Sequence, residues 1–182
     1  SFYAATKKST ENIAHSYAHL FNIPTTIFRF FTVYGPWGRP DMALFKFTKS
    51  ILNRKNIKVF NYGEMKRDFT YIDDLVKSIL LLVKNIPTLE RESKSILNES
   101  ESAVAPFRVV NIGNAKSEKL LDFIAALENC LGLKAEIDLI PIQAGDVPST
   151  WADTSFLKDL TGYNPNTEIS KGISNFVKWY RE

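Results

Sequence analysis

The sequence predicts an α/β fold, because strand-like and helix-like segments alternate along its 182 residues. Residues 25–31 are β-branched and aromatic, which is typical of a strand buried on both faces. Residues 3–21 and 74–85 instead repeat small and apolar side chains at helical spacing. A chain of this length has room for one domain, or for one domain and part of a second.

The predicted elements follow one another between turn residues. Pro24 separates the first helix from the first strand, and the Gly and Pro content of residues 34–40 indicates a loop. Asp73 has the chemistry of a helix cap for the segment after it. Residues 87–106 are polar and without a period, so we expect a flexible insertion there. The helices are predicted at 3–21, 43–53, 74–85, 117–131 and from about 154 and 170, and the strands at 25–31, 57–60, 67–72, 107–112 and 135–140.

The composition is that of an ordinary globular protein. Lys and Arg number 23 against 20 Asp and Glu, so the charge indicates neither a nucleic acid nor an anionic membrane as partner. The longest apolar run, residues 79–83, is too short to cross a bilayer. The single cysteine, Cys130, excludes an internal disulfide and a cysteine-rich zinc site, and we interpret it as a buried small hydrophobe. With no secretory signal at the start, a cytoplasmic location is expected.

The beginning of the chain indicates a fragment of a longer protein. Ser1 is not an initiator methionine, and helix-like sequence follows it at once. The glycine fingerprint of dinucleotide-binding folds, Gly-x-Gly-x-x-Gly or Gly-x-x-Gly-x-x-Gly, does not occur in the sequence. We therefore expect the loop that holds a dinucleotide pyrophosphate to be missing.

Two residues of the first helix have a spacing with chemical meaning. Tyr3 and Lys7 are four positions apart, which places a phenol and an ammonium on one face of the helix. A nearby cation favours the phenolate, and a phenolate can take the proton of a hydroxyl group. The motif is weak by itself, since many helices contain it by chance. His15 and His19 share the same spacing, but with only Glu11 nearby we predict no metal site.

Longer segments carry a resemblance to a known family. In their order and spacing they resemble signatures of the extended short-chain dehydrogenase/reductase superfamily and of its NAD-dependent nucleotide-sugar epimerases. The last two in the list resemble the UDP-glucuronate 4-epimerase branch in particular. The likeness covers nearly the whole chain outside 87–106. The segments are 1–8 (SFYAATKK), 29–36 (RFFTVYGP), 67–74 (RDFTYIDD, preceded by Gly63), 37–43 (WGRPDMA) and 145–153 (GDVPSTWAD).

The resemblance implies the architecture of the chain. It would be the C-terminal part of a Rossmann-type extended short-chain dehydrogenase, with the smaller α/β substrate-binding domain and without the N-terminal glycine-rich βαβ unit. Residues 1–40 would be a remnant of the NAD-binding domain. Residues 41–182 would form mainly the UDP-sugar-binding domain, with some segments returning to the Rossmann part. The helix at 3–21 would pack against its mate in a homodimer.

The resemblance also implies the cofactor and the reaction. NAD would take hydride from C4 of a UDP-sugar and return it to the other face, which converts UDP-glucuronate to UDP-galacturonate. Tyr3 would be the base, and Lys7 its electrostatic partner and a contact of the cofactor ribose. Phe30 and Val33 would contact the nicotinamide. We expect the chain alone to be inactive, because its NAD fold is incomplete.

Five residues would bind the UDP-sugar. Arg67 would hold the diphosphate, Asp146 the ribose hydroxyls and Phe60 the uracil. Arg39, assisted by Thr32, would pair with a carboxylate at C6 of the sugar. The chain departs from many relatives where Gln143 replaces a second phosphate-binding arginine.

Other interpretations stay open at this point. The enzyme could be another UDP-sugar epimerase or a dehydratase, although Ala4, Ala5 and Thr6 lack the acid and base that dehydratases carry beside the tyrosine. The chain could also bind UDP-sugars without turning them over, or be a structural fragment that binds no nucleotide. Asp73 and Asp153 belong to the motifs, but helix capping explains them better.

Overall fold

The computed structural model describes residues 1–89 and 98–182, and in both parts helices and strands alternate as predicted. In these parts of the chain no helix is long and apolar enough to cross a membrane. A 3-10 turn, Asn61–Gly63, lies between two strands. The helices are α1 (Phe2–Phe21), α2 (Ala43–Leu52), α3 (Ile72–Val83), α4 (Leu120–Leu131), α5 (Ser155–Thr161) and α6 (Ile169–Arg181). The strands are β1 (Thr25–Phe30), β2 (Thr32–Tyr34), β3 (Ile57–Val59), β4 (Lys66–Arg67), β5 (Phe69–Tyr71), β6 (Phe107–Ile112), β7 (Glu118–Lys119) and β8 (Ile137–Leu139).

The described strands pair two by two. β1 lies parallel to β6, β2 to β5 and β3 to β8, whereas β4 and β7 are antiparallel. Because successive strand residues face opposite sides, the β1–β6 pair contributes to two cores. Ile27 packs with Ala18 of α1, while Phe28 packs with Leu75 of α3 and Leu157 of α5.

A third and larger core holds the C-terminal part together. Helices α2, α4 and α6 pack around β2, β3 and β5. Its centre is aromatic, with the Phe123 ring stacked 4.2 Å from that of Phe69 and the Tyr34 ring meeting Phe123 edge-on at 5.6 Å. Cys130 packs against this core, and burial raises the pKa of its thiol.

The prediction that Asp73 caps a helix is wrong. Helix α3 begins one residue earlier, at Ile72, directly after β5. Asp73 and Asp74 therefore lie inside its first turn, where carboxylates favour the positive end of the helix dipole. Asp153 does serve a helix start, because its carboxylate accepts the backbone N–H of Ser155 at 2.9 Å.

The predicted insertion at 87–106 divides into two parts. Residues 90–97 lie outside the described residues. Residues 98–106 run beside β6, where the N–H of Val109 donates to the carbonyl of Ser100 at 2.8 Å. They also contact α1, because His15 Nε2 lies 2.8 Å from Ser102 Oγ and His19 Nδ1 lies 2.7 Å from the carbonyl of Val104. Hydrogen bonds to a strand and a helix therefore hold the backbone of this part, and the flexibility of the insertion stays a prediction.

Candidate active site

Tyr3 and Lys7 share the first two turns of α1. Ser1 caps the helix by accepting the N–H of Ala4 at 3.2 Å, so both residues have regular helical spacing. The ammonium of Lys7 lies 5.5 Å from the centre of the Tyr3 ring. Tyr3 is 69% exposed, so its hydroxyl group is accessible to a ligand.

A cavity of about 560 Å³ opens beside this pair. Phe30, at the end of β1, lies on its wall with Tyr3 and Lys7 and is 49% exposed. Val33 is not part of this wall, because the next strand turns it toward the core that contains Leu75. Of the two predicted nicotinamide contacts, the structure brings Phe30 to the Tyr3 cavity and leaves Val33 outside it.

An ion pair that the sequence analysis did not anticipate fixes α1 against β1. Both oxygens of the Glu11 carboxylate accept from the Arg29 guanidinium, at 2.6 and 2.7 Å, and Lys8 donates at 2.8 Å. Hydrogen bonding from Arg29, with a smaller effect of Lys8, lowers the pKa of Glu11 to about 2. Glu11 and Arg29 line the Tyr3 cavity, so the pair sets the position of the helix that carries Tyr3.

A second cavity, of about 620 Å³, collects most of the predicted substrate residues. Thr32, Phe60, Arg67 and Asp146 all line it. Arg67 Nη2 lies 4.0 Å from Asp146 Oδ1, and the Arg67 side chain is mostly buried. Arg67, predicted to bind the diphosphate, and Asp146, predicted to bind the ribose, therefore line one cavity although they are 79 positions apart in the sequence.

Backbone hydrogen bonds bring these two residues together. The N–H of Lys66 donates to the carbonyl of Pro148, and the N–H of Thr150 donates back to the carbonyl of Lys66. A turn closed by the N–H of Asp146 and the carbonyl of Gln143, at 3.1 Å, presents the Asp146 carboxylate. Gly145 has φ +87° in this turn, a conformation that glycine adopts at little cost. The side chain of Gln143 is not part of the cavity wall.

Asp68, which the sequence analysis did not single out, stabilises the backbone next to Arg67. It is fully buried next to Arg67. Its carboxylate accepts the backbone N–H groups of Asn114 at 2.7 Å and of Ala115 and Ala152 at 3.0 Å. These hydrogen bonds compensate for the burial of the Asp68 carboxylate. They also connect the segments after β6 and before α5 to β4, the strand that carries Arg67.

The wall of the 620 Å³ cavity is basic, which sequence reasoning also missed. Four cationic side chains and two carboxylates line it: Lys46, Lys49, Lys58, Arg67, Asp41 and Asp146. Lys46 and Lys49 are one turn apart on α2, so they lie on the same face of the helix. The sequence predicts this shared face, but only the structure shows that α2 borders the cavity. The surplus of positive charge suits an anionic ligand.

Arg39 lies outside this wall. It is exposed in the loop before α2, where its Nε and Nη2 donate to the two carboxylate oxygens of Asp41 at 3.0 and 2.5 Å. This hydrogen bonding raises the pKa of Arg39, with a smaller contribution from the phenol of Tyr3, and it lowers the pKa of Asp41. Arg39, which was predicted to bind the sugar carboxylate, lines a small cavity with Thr32 and is already paired with a carboxylate of the same chain.

Residues 1–96, more than half of the chain, match the NAD dependent epimerase/dehydratase family. The chain belongs to this family. Within the described residues, no group of three His, Cys, Asp or Glu side chains is placed to hold a metal ion.

Members of the family share sequence and fold with the whole chain. It is 50% identical over 181 residues to a protein of Rhizobium meliloti named "Probable UDP-glucuronate 4-epimerase", and 50% identical over 182 residues to Protein CapI of Staphylococcus aureus. Among solved structures, the UDP-glucuronic acid 4-epimerase of Bacillus cereus, in complex with UDP-glucuronic acid and NAD, superposes with a TM-score of 0.82 at 33% identity. That match covers 98% of this chain and 52% of the other. The chain also spans about half the length of the curated relatives it matches, 53% and 54% for the two named here.

Proposed function

We propose that this chain supplies the proton-transfer residues and the UDP-sugar site of an NAD-dependent C4-epimerase, and that its substrate is UDP-glucuronate, converted to UDP-galacturonate. One observation carries the proposal. The cavity of Tyr3 and Lys7 and the cavity of Arg67 and Asp146 are adjacent along one stretch of chain, since Phe30 lines the first and Thr32 lines the second. In the proposed complex, the sugar of a nucleotide bound in the second cavity extends toward the phenol in the first.

The Tyr3 cavity has the size and lining for the nicotinamide end of NAD. An aromatic face, Phe30, and an ammonium, Lys7, are both accessible there, and its volume is about 560 Å³. The residues for the pyrophosphate are not in this sequence, which has no glycine fingerprint. When bound, NAD supplies reversible hydride transfer at C4 of the sugar.

The residues of the chain move the proton and hold the substrate. The Tyr3 oxygen takes the proton of the C4 hydroxyl and later returns it, while the Lys7 ammonium stabilises the phenolate. Arg67 binds the diphosphate, since a guanidinium offers paired donors to phosphate oxygens. Asp146 accepts the ribose hydroxyl groups, and Phe60 lies along the uracil. The Glu11–Arg29 pair joins α1, which carries Tyr3, to β1, which carries Phe30.

Two features favour UDP-glucuronate over a neutral sugar. Arg39 lines a small cavity together with Thr32, the residue expected to assist it in binding a carboxylate. The Rhizobium meliloti relative carries the name of this activity, and the Bacillus cereus neighbour was solved with UDP-glucuronic acid. Ala4, Ala5 and Thr6 offer no carboxyl group beside Tyr3, which argues against a dehydratase.

Helix α1 also supports the proposed homodimer. Its outer face exposes Ile13, Tyr17 and Leu20, which are 60%, 58% and 71% exposed. These side chains are one turn apart and form an apolar stripe that a second copy of the helix would cover.

A chimera tests the proposed activity. In it, residues 1–182 replace the matching half of the Rhizobium meliloti protein, whose 50% identity makes the joining surfaces compatible. We expect the chimera to interconvert UDP-glucuronate and UDP-galacturonate, and Tyr3→Phe to lower the rate by about 10²–10⁴-fold, the usual contribution of a positioned base. UDP affinity should stay unchanged. Tyr62→Phe, at an exposed position outside both cavities, is the matched control.

The 182-residue chain by itself is used in the second part of the test. It should bind UDP, measured by calorimetry, and should show no epimerisation with added NAD. Full activity of the Tyr3→Phe chimera would contradict the role of Tyr3. A chimera that binds UDP and NAD without turnover would contradict the epimerase assignment, and absence of UDP binding to the chain would contradict the UDP-sugar site.

A further inference from the structure

The guanidinium edge of Arg39 is already filled by a carboxylate of the same chain. Nε and Nη2 of Arg39 each donate to a different oxygen of Asp41, at 3.0 and 2.5 Å. This two-bond arrangement is the one in which a guanidinium recognises any planar carboxylate, including a carboxylate on a sugar ring. The Asp41 carboxylate therefore occupies the position that a substrate carboxylate would need.

The pair borders the nucleotide cavity. Asp41 is on the wall of that cavity with Arg67 and Asp146, whereas Arg39 lines a smaller cavity beside it, and Thr32 and Ala43 line both. The N–H of Met42 donates to the carbonyl of Arg39 at 3.1 Å, so the short turn that carries both residues leads directly into α2.

We infer that Asp41 is a specificity-determining residue that competes with the substrate carboxylate for Arg39. This inference rests on the proposed function. A UDP-sugar with a C6 carboxylate exchanges one carboxylate for another at Arg39 and releases Asp41 toward solvent. A neutral UDP-sugar offers nothing in exchange and leaves the internal pair intact.

The exposure of the pair makes this exchange feasible. The side chain of Arg39 is 75% exposed and that of Asp41 is 55% exposed. An exposed ion pair changes an equilibrium by about fivefold at most, so the substrate can displace Asp41 without a large loss of affinity. A buried pair would be far more costly to separate, because a charge would be left without a partner.

Substitution of Asp41 in the 182-residue chain tests the inference. Asp41→Asn should tighten UDP-glucuronate binding by about two- to fivefold at low salt, because Arg39 is then free of its internal partner. The affinities for UDP-glucose and UDP should rise less and by one common factor, because Asp41 also contributes a negative charge to the wall of the nucleotide cavity. Asp41→Glu retains the charge and should restore weaker UDP-glucuronate binding. In an Arg39→Gln background, which itself weakens UDP-glucuronate selectively, Asp41→Asn should give no further selective gain for UDP-glucuronate.

Titrations with UDP-glucuronate, UDP-glucose and UDP distinguish the possible results. If Asp41→Asn changes all three affinities by one factor, or none of them, Asp41 does not act through the sugar carboxylate and the inference is wrong. The same conclusion holds if the gain persists without Arg39, since a through-space effect on the cavity would then explain it. Failure of UDP itself to bind the unsubstituted chain would instead contradict the proposed function.

Discussion

Glu11 joins the helix of Tyr3 to the strand of Phe30, and the lowered pKa of its carboxylate makes this contact sensitive to acid. Bonds from Arg29 and Lys8 lower its pKa from 4.5 to about 2. A carboxylate with a lowered pKa stabilises the folded state above its unfolded value. The stabilisation is therefore complete above about pH 4.5 and is lost as the pH falls through 2.

We expect Glu11→Gln to reduce the free energy of unfolding at pH 7 by on the order of 2 kcal/mol, which allows for solvent screening because the Arg29 side chain is 46% exposed. The difference between variant and parent should shrink as the pH is lowered from 4.5 to 2. Urea denaturation at several pH values measures both effects. Glu64→Gln, at an exposed position, is the control. A constant difference across this pH range would show that the charge of Glu11 does not stabilise the fold.

At the scale of single residues, the sequence was informative where a motif has fixed spacing. Tyr3 and Lys7 are four positions apart, so helical geometry alone places them on one face. Glu11 and Arg29 are 18 positions apart on different elements, and no local pattern relates them. The same holds for Asp68, whose backbone partners Asn114 and Ala152 come from distant loops.

Among the elements, α6 and β2 meet at an unusually close contact. A methyl group on Gly172 of α6 would overlap the Tyr34 ring, with the Tyr34 Cζ only 2.7 Å away. The hydroxyl of Tyr34 is buried and has no hydrogen-bond partner among the described residues, and burial raises the pKa of this phenol. The helix therefore has no room for a side chain at position 172. The strand contributes a buried hydroxyl group that has no hydrogen-bond partner among the described residues.

Gly172→Ala should destabilise the protein by about 1–3 kcal/mol, the cost of an overpacked core, although alanine is the better helix former by about 1 kcal/mol. Tyr34→Phe should be neutral or stabilising, because it removes an unpaired buried hydroxyl. The Gly172→Ala penalty should be smaller in the Tyr34→Phe background. Thermal unfolding of both single variants and the double variant measures this coupling, with Ser174→Ala on α6 as control. Additive effects would mean that Tyr34 and Gly172 do not interact.

Most elements were predictable to within three residues at most boundaries, because helical and strand periodicities differ along the chain. Two short strands were missed, since β2 lies in no predicted element and β7 lies in a segment predicted as helix. The pairing of the strands was not predictable. The segment predicted as one strand at 67–72 is split at Asp68, with β4 paired to β7 and β5 paired to β2. Such pairing depends on contacts between segments far apart in the sequence, which local periodicity does not encode.

For the molecule as a whole, the distribution of charge around the 620 Å³ cavity matters more than the net charge. The chain carries a formal charge of only +3, yet the cavity wall combines four cationic side chains with two carboxylates. Arg67 is mostly buried and held by the backbone of Lys66, whereas the α2 lysines reach the wall from a solvent-exposed helix face. Salt screens exposed charges strongly and buried ones weakly.

This difference predicts two kinds of loss in UDP affinity. Arg67→Ala should weaken UDP binding by about ten- to a hundredfold at every salt concentration, because a buried charge-assisted contact to phosphate is removed. A Lys46→Gln/Lys49→Gln double variant should lose several-fold at low salt and almost nothing at 0.5 M, where screening has already removed the contribution of the lysines. Calorimetric titration of the 182-residue chain with UDP at low and high salt distinguishes the two, with Lys171→Gln on α6 as control. If the lysine variant loses affinity equally at both salt concentrations, the lysines contact the phosphates directly and the division of roles proposed here is wrong.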